Sequence, residues 1–186
     1  IYDFESGDSG MIANGWSLNL TTTPTPVWDV RSNAAPTVVA NGLDVGANAA
    51  GATLLITNGA ALSVGANARL GVDSGSTNNL ALIAGPGSAW TNDNALYVGY
   101  GSSFNALLIT NDGAVNNSVL ILGQSPAANF NELTVTGPDS ICDSSGMTAI
   151  GNNGSFNTVL IADGGRLEDA TGYLGANASA NYNQVT

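Results

Sequence analysis

The stretch SFNALLITND at residues 103–112 holds the pattern that decides the fold. Its aromatic-asparagine pair recurs every 26 residues, and an Asn-Asn pair stands one period earlier. The column consists of Asn78-Asn79, Phe104-Asn105, Phe130-Asn131, Phe156-Asn157 and Tyr182-Asn183. A fixed period of this length indicates a coil whose turns stack on one another. Because asparagine side chains can hydrogen-bond between turns while aromatic rings stack, we expect an internal ladder that fixes the register.

The composition favours strands joined by tight turns. The 186-residue chain has 24 glycines and 9% charged residues, and it is poor in the residues that build helices. First-strand segments are expected at 52–57, 79–84, 105–110, 131–136 and 157–162, each followed by a turn-forming sequence. A second strand is expected to place Ala89, Val115, Ile141 and Leu167 in one column, and a third strand to end in Gly99, Gly123, Gly151 and Gly175.

These segments predict an all-β fold, a β-solenoid (β-helix) with rungs of ~26 residues. About five rungs at ~4.8 Å each would occupy residues 37–186 and form a rod roughly 24 Å long. Residues 1–36 do not fit the repeat, and Pro24, Pro26 and Pro36 would interrupt a strand ladder. We therefore expect a small N-terminal β cap or arm at residues 1–36.

The charge balance excludes several classes of partner. The formal net charge is −11, with three arginines, no lysine and no histidine. Without a basic patch the chain is not expected to bind nucleic acid or an anionic membrane surface. No apolar run reaches the roughly 20 residues of a membrane span, so no membrane insertion is expected. Scarce lysine and cysteine with abundant asparagine, threonine and glycine favour an extracellular location.

Alternation along the first strand predicts apolar residues on both of its faces. Leu107 and Ile109 would face inward, while Leu108 would face outward. The expected outward column is Leu55, Leu82, Leu108, Thr134 and Leu160. A wall that meets water should alternate with polar residues, and burying one exposed leucine is worth roughly 1.5–3 kcal/mol. We therefore expect this wall to be covered, either by residues 1–36 or by another chain.

A second outward column is expected on the third strand, at Tyr97, Ile121, Ala149 and Tyr173. Two apolar columns are more than one short arm can cover, which favours contact between copies of the chain. The sequence also stops four residues into a new rung, after Tyr182. Because an open solenoid end is a template for another strand, we expect head-to-tail continuation from copy to copy, unless the repeats run on beyond this sequence.

Part of the repeat resembles a known group of proteins. Val98-Gly99 followed by residues 107–113 (LLITNDG), and Val45-Gly46 followed by residues 54–59 (LLITNG), are similar to repeats of bacterial autotransporter passengers and PEP-CTERM-associated surface proteins. Ile150-Gly151 with residues 159–164 is a weaker copy. The likeness covers residues 43–175, and it implies an exported β-helical surface protein without assigning catalytic residues.

The predicted function is structural: an extracellular subunit that assembles with copies of itself into a bacterial surface filament or layer. The candidate subunit contacts are Leu55, Leu82, Leu108, Leu160, Tyr97, Ile121 and Tyr173. The alternative is an adhesin or passenger fragment that binds glycans through Trp90 and Tyr97, or through the aromatic column if that column lies outside. No catalytic residue is assigned, and the protein is not expected to be an enzyme.

A polysaccharide lyase or hydrolase is the third hypothesis. Asp112, Asp139 and Asp163 fall near one turn on successive rungs, with Arg166 as the nearby basic group. Solvated turn residues explain the same acids, so no cofactor is predicted, and calcium at this turn is kept as an alternative. Cys142, the only cysteine, is expected to be a half-buried, unreactive thiol pointing outward beside Trp90, with an intermolecular disulfide as the alternative.

Overall fold

A computed structural model describes residues 27–30 and 36–186, which form sixteen β-strands. The strands are β1 (Val27–Val30), β2 (Thr37–Val39), β3 (Leu43–Val45), β4 (Thr53–Thr57), β5 (Ala61–Val64), β6 (Ala68–Leu70), β7 (Leu80–Ala84), β8 (Ala89–Asn92), β9 (Ala95–Val98), β10 (Ala106–Thr110), β11 (Ala114–Leu122), β12 (Glu132–Thr136), β13 (Ile141–Ile150), β14 (Thr158–Ala162), β15 (Arg166–Leu174) and β16 (Gln184–Val185). Within these ranges the structure holds no helix that is long and apolar enough to cross a membrane.

The strands form two parallel sheets that wind around one core. The first sheet has the order β1-β4-β7-β10-β12-β14-β16, so each rung contributes one strand. The second sheet collects the remaining strands. In its early rungs it is built from two short strands, such as β8 and β9, which become one long strand in β11, β13 and β15. The result is a β-solenoid of about six turns, which confirms the predicted fold.

Alternation along the first-sheet strands sets the inner wall of the core. In β10, Leu107 and Ile109 are fully buried, whereas Leu108 between them is only half-buried. The same inward positions are fully buried in β4, β7 and β12, and they are occupied by Leu54, Ile56, Ala81, Ile83, Leu133 and Val135. Because the residues pair at constant register from rung to rung, the first strands repeat as the sequence predicts.

The predicted column of the second strand is wrong. Trp90 pairs with Val115, and Cys142 continues that column, whereas Ala89 pairs with Ala114. The cause is that the turn between the first and second strands alternates in length from rung to rung. It has four residues before Ala89 and Ile141 but three before Ala114 and Arg166. A change of one residue in a turn moves every following side chain to the other face of its strand.

The solenoid also begins earlier than predicted. Val27–Val30 pairs in parallel with β4, which places Trp28 beside Leu54 and Val30 beside Ile56. Val30 is 3% exposed and belongs to the core. The remainder of the predicted cap or arm at 1–36 consists of Pro36 and of residues 1–26 and 31–35. Those two ranges lie outside the described residues.

Candidate functional site

The asparagines of the 26-residue column form a hydrogen-bonded ladder inside one corner of the solenoid. Asn131 Oδ1 accepts from the backbone N–H and from Nδ2 of Asn105, both at 2.9 Å. The backbone N–H and Nδ2 of Asn131 donate in turn to Asn157 Oδ1 at 2.9 and 3.0 Å. The same pattern starts at Asn79 and continues to Asn183. Each amide therefore joins two rungs.

A glycine that follows an earlier third strand makes room for each of these side chains. Gly99 has φ +77°, and a Cβ at this position would overlap the amide of Asn131. Gly151 has φ +76° and is related in the same way to Asn183. The sequence shows both columns, but their pairing was not predicted. The available signal is that a glycine follows the third strand of each rung, at Gly99, Gly123, Gly151 and Gly175.

The aromatic members of the column lie on the outside, so the prediction that they join the internal ladder is wrong. Neighbouring rings among Phe104, Phe130, Phe156 and Tyr182 are stacked, with centroids 4.9–5.2 Å apart. Their exposed fractions range from 44% to 73%. Each aromatic residue precedes an inward asparagine and has a φ between 56° and 61°.

This aromatic stack is poorly suited to holding sugars. A sugar ring stacks on the face of an aromatic ring, but here most faces are covered by the neighbouring rings, at interplanar angles of 4–13°. The stack therefore presents ring edges to solvent. Its geometry favours the role of an outer column that supports rung spacing over that of a glycan platform.

The outward face of the first sheet is almost free of charge. We call the outward residues of β4, β7, β10, β12 and β14 the leucine wall. They are Thr53, Leu55, Thr57, Leu80, Leu82, Ala84, Ala106, Leu108, Thr110, Glu132, Thr134, Thr136, Thr158, Leu160 and Ala162. Leu55, Leu82 and Leu108 are half-buried, and Leu160 is 36% exposed. Glu132, the one charged member, accepts a hydrogen bond from Thr134 Oγ1 at 2.7 Å.

The second predicted outward column is exposed only at its ends. Tyr97, Ile121, Ala149 and Tyr173 are neighbours in register, as predicted. Ile121 is 8% exposed and Ala149 is 1% exposed, whereas Tyr173 is 47% exposed and Tyr97 is half-buried. The prediction that Ile121 is an exposed contact residue is therefore wrong. Burial of an outward residue depends on what packs over its strand, which alternation does not reveal.

A small aromatic and charged cluster adjoins Tyr97. The rings of Tyr97 and Tyr100 meet edge to face at 5.1 Å, and the Arg69 guanidinium lies 5.1 Å from the centroid of Tyr100. Two nitrogens of Arg69 donate to the two carboxylate oxygens of Asp44, each at 2.7 Å. This hydrogen bonding raises the pKa of Arg69. The cluster is an outward aromatic surface with a fixed ion pair beside it.

Trp90 and Cys142 are core residues, which corrects two predictions. Trp90 is 0% exposed and cannot contact a glycan on the surface. Cys142 is also 0% exposed rather than half-buried, and it lies opposite Val115 on the inward face. Burial raises the pKa of the Cys142 thiol to about 12, and the negative charge of Asp143 adds to the shift, whereas a contact with Asn117 opposes it.

Cys142 is expected to be unreactive in the folded protein and to reduce stability in alkaline solution. Because the folded pKa lies above the ordinary value of 9.0, stability is unaffected below pH 9 and falls as the pH rises toward 12. Cys142→Val, which copies Val115 of the same column, should remove the part of the stability loss in alkaline solution that comes from the thiol. Urea unfolding of both proteins between pH 7 and 11 measures it. Rapid alkylation of the native thiol at pH 8, or identical pH profiles, would contradict the expected burial.

The predicted acidic cluster does not converge on one point. Asp112, Asp139 and Asp163 lie on exposed turns, and they stand two, three and one residues after their respective strands. Asp163 Oδ2 accepts from Thr136 Oγ1 at 3.2 Å. Arg166 makes an exposed ion pair with Glu168 at 3.4 Å. In residues 27–30 and 36–186 no group of three His, Cys, Asp or Glu side chains is arranged to hold a metal ion.

The described surface therefore offers two candidate contact regions: the leucine wall, and the cluster of Tyr97, Tyr100, Arg69 and Asp44. The aromatic stack and the asparagine ladder both connect successive rungs. Comparison with protein-family models, curated proteins and solved structures finds nothing that matches this chain.

Proposed function

We propose that the protein is a structural subunit of a bacterial surface and associates with copies of itself through the leucine wall. The observation that supports this most strongly is the near absence of charge on five adjacent strands of an acidic chain. Fifteen outward positions carry the single charge of Glu132, while the whole chain has a net charge of −11. Asp29 of β1 borders the wall beside Leu55.

Electrostatics favours this wall as the surface where two copies meet. Two molecules of net charge −11 repel each other, and the repulsion is greatest where carboxylates approach closely. At the leucine wall, apolar and hydroxyl groups face the partner instead. Added salt screens the remaining repulsion without weakening apolar contact, so association should increase with ionic strength.

The dimensions of the wall set the strength of each contact. Strands of five residues are about 16 Å long, and five strands at ~4.8 Å spacing cover about 24 Å, which gives roughly 400 Å². A stable interface of standard size buries about 800 Å² on each partner. One wall pair therefore gives weak association, and an ordered assembly needs repeated contacts along a filament or layer.

Strand continuation from copy to copy is the second part of the proposal. Along its whole length β15 pairs only with β13, so its other edge can accept a further parallel strand. The Asn183 backbone and side-chain amides could donate to one more asparagine of the ladder, as Asn157 donates to Asn183. A further rung of the same chain would satisfy this edge equally well, so the leucine wall is the stronger support for self-association.

Leu82→Glu is expected to abolish association through the leucine wall. The substitution places a carboxylate among the uncharged outward side chains of β4, β7 and β10, and a wall-to-wall contact would bury this charge. Sedimentation velocity between about 10 and 500 μM, in low and high salt, should show concentration-dependent association of the original protein and a monomer for the variant.

Two matched variants sharpen this test. Thr91→Glu adds the same charge on the outward face of β8, away from the wall, and should leave association nearly unchanged. Glu132→Thr, which copies Thr158 in the neighbouring strand, removes the charge of the wall and should strengthen association. Equal effects of Leu82→Glu and Thr91→Glu would show that net charge rather than the wall controls assembly.

A glycan-binding adhesin is the second candidate function, and the cluster around Tyr97 favours it. Aromatic rings beside a fixed Arg69–Asp44 ion pair offer both stacking and hydrogen bonding to a sugar. Glycan-array binding that is lost in Tyr97→Ala but kept in Phe130→Ala would support this function. Binding that is lost in Phe130→Ala alone would move the site to the aromatic stack.

A further inference from the structure

The second sheet bends between β8 and β9, and its register shifts at the corresponding part of β11. Polar residues lie inside the solenoid at this bend. The inward column there runs from Val64 through Asn92 and Asn117 to Ser144, and all four are buried. Asn92 and Asn117 directly follow the paired residues Thr91 and Asn116. Ser144 Oγ donates to Asn117 Oδ1 at 2.9 Å, and Asn92 Nδ2 donates to the carbonyl of the nearby Ala95 at 2.9 Å. This corner is thus a second polar seam of the core, separate from the asparagine ladder.

The seam and the inward residues around it contain most of the unsatisfied polar atoms of the described chain. Five buried side-chain nitrogens or oxygens in residues 27–30 and 36–186 have no hydrogen-bond partner, and four of them belong to inward residues of β8, β11 and β13. They are Trp90 Nε1, Asn92 Oδ1, Asn117 Nδ2 and Thr148 Oγ1. The residues that carry them are between 0% and 6% exposed. Native proteins rarely leave such groups unpaired, and ordered water is the usual partner of those that no protein group satisfies.

We propose that this corner binds at least two ordered water molecules inside the solenoid. One water accepts from Trp90 Nε1 and donates to Asn92 Oδ1, two inward groups of β8. The other accepts from Asn117 Nδ2 and donates to Thr148 Oγ1, which lies on the adjacent strand β13 at the position that pairs with Leu120. Each pair combines an N–H donor with an oxygen acceptor, which is the complement of what one water molecule supplies.

Other small occupants fit these groups less well. A metal cation requires several oxygen ligands, whereas the N–H groups of Trp90 and Asn117 would present hydrogens to it. An anion would face Asn92 Oδ1 in a chain of net charge −11. The contact of Asn117 with the Cys142 thiol does not replace water, because sulfur is a weak acceptor and Nδ2 carries two hydrogens. Only a neutral molecule that both donates and accepts satisfies all four atoms.

Nuclear magnetic resonance of the ¹⁵N-labelled protein tests the proposal. The indole N–H of Trp90 can be assigned as the indole signal that persists in both Trp16→Phe and Trp28→Phe. The indole N–H of Trp90 and the side-chain amide of Asn117 should show direct cross-peaks to water, with the sign of a long-lived contact. If neither group shows such a cross-peak, the corner is dry and the proposal is wrong.

The asparagine ladder supplies the internal control. The side-chain amides of Asn105 and Asn131 are also buried, but they donate to protein oxygens at 2.9 and 3.0 Å. They should show no direct cross-peak to water. Cross-peaks of equal strength in the ladder and in the corner would indicate general exchange with solvent, and they would overturn the assignment of a specific water site. The double variant Asn92→Val/Thr148→Val, which copies Val64 at the first position, should lose the water signals at Trp90 and Asn117.

Discussion

Gly99→Ala is expected to destabilise the solenoid by about 4 kcal/mol or more, from the strain of a left-handed backbone together with the loss of ladder bonds. Gly99 has φ +77°, a conformation that costs an alanine roughly 1–2 kcal/mol. The new Cβ would also overlap the Asn131 amide, so this side chain must leave the ladder or the rung must shift. Since whole domains are stable by only about 5–15 kcal/mol, the variant should unfold at much lower denaturant concentration and give little soluble protein.

Gly75→Ala is the matched control for this substitution. A Cβ at Gly75 would meet nothing within 4 Å, and the backbone there is not left-handed. The control should therefore be neutral or slightly stabilising in urea or guanidinium unfolding. If the two alanine variants unfold at the same denaturant concentration, the proposed packing of glycine against asparagine is wrong.

Asn131→Ala is expected to cost about 2–4 kcal/mol, because it leaves buried hydrogen-bonding groups without partners. The backbone N–H of Asn105 loses its acceptor at 2.9 Å, and Asn157 Oδ1 loses the Nδ2 donor at 3.0 Å. The Asn105 side chain is less affected, since its Nδ2 also lies 3.1 Å from the carbonyl oxygen of Ser102. Equilibrium unfolding measures the loss, with Asn116→Ala on the half-buried outward face of β11 as a control expected within ~0.5 kcal/mol.

Combining the two substitutions separates their causes. When Asn131 is already alanine, the Cβ at position 99 has no amide to displace, so Gly99→Ala should cost only the backbone strain. The two free-energy changes should therefore sum to more than the change in the double variant, by about 2 kcal/mol. Strict additivity would contradict a direct contact between these residues.

The first sheet could be predicted from the sequence because its strands follow the asparagine column at a constant distance. Asn105 and Asn131 are each followed by a strand that pairs in register with the next, so one period fixes both the strand and its buried face. The outward position of Phe104 and Phe130 could also have been predicted, because each directly precedes an inward asparagine. In the structure the rungs turn sharply at these residues, with φ values of 61° and 56°.

The second sheet could not be predicted in the same way, because its register depends on turn length. The turn before Ala89 has four residues and the turn before Ala114 has three, which reverses the expected faces at Trp90 and Cys142. The polar corner at Asn92 and Asn117 was hidden for a related reason, since its inward position follows from those turns. Burial of the outward Ile121 depends on packing over the strand, and the alternating pattern of a strand carries no information about it.

The leucine wall was predicted from alternation, and the structure places Leu55, Leu82 and Leu108 next to one another on the outward face, with Thr134 between Leu108 and Leu160. Of the other predicted contact residues, Tyr173 is exposed and Tyr97 is half-buried, whereas Ile121 is buried. Self-association is therefore expected to depend on one wall of modest area that carries a single charge, rather than on two apolar columns. Contacts through this wall are therefore expected to be weak singly and to become effective when they are repeated along a filament or layer.

Electron microscopy of the purified protein at high concentration and high salt tests the proposed function most directly. The account predicts filaments or layers in which leucine walls face each other, and their absence in Leu82→Glu under the same conditions. Dispersed monomers of the original protein, or assemblies that are unchanged in Leu82→Glu, would contradict it.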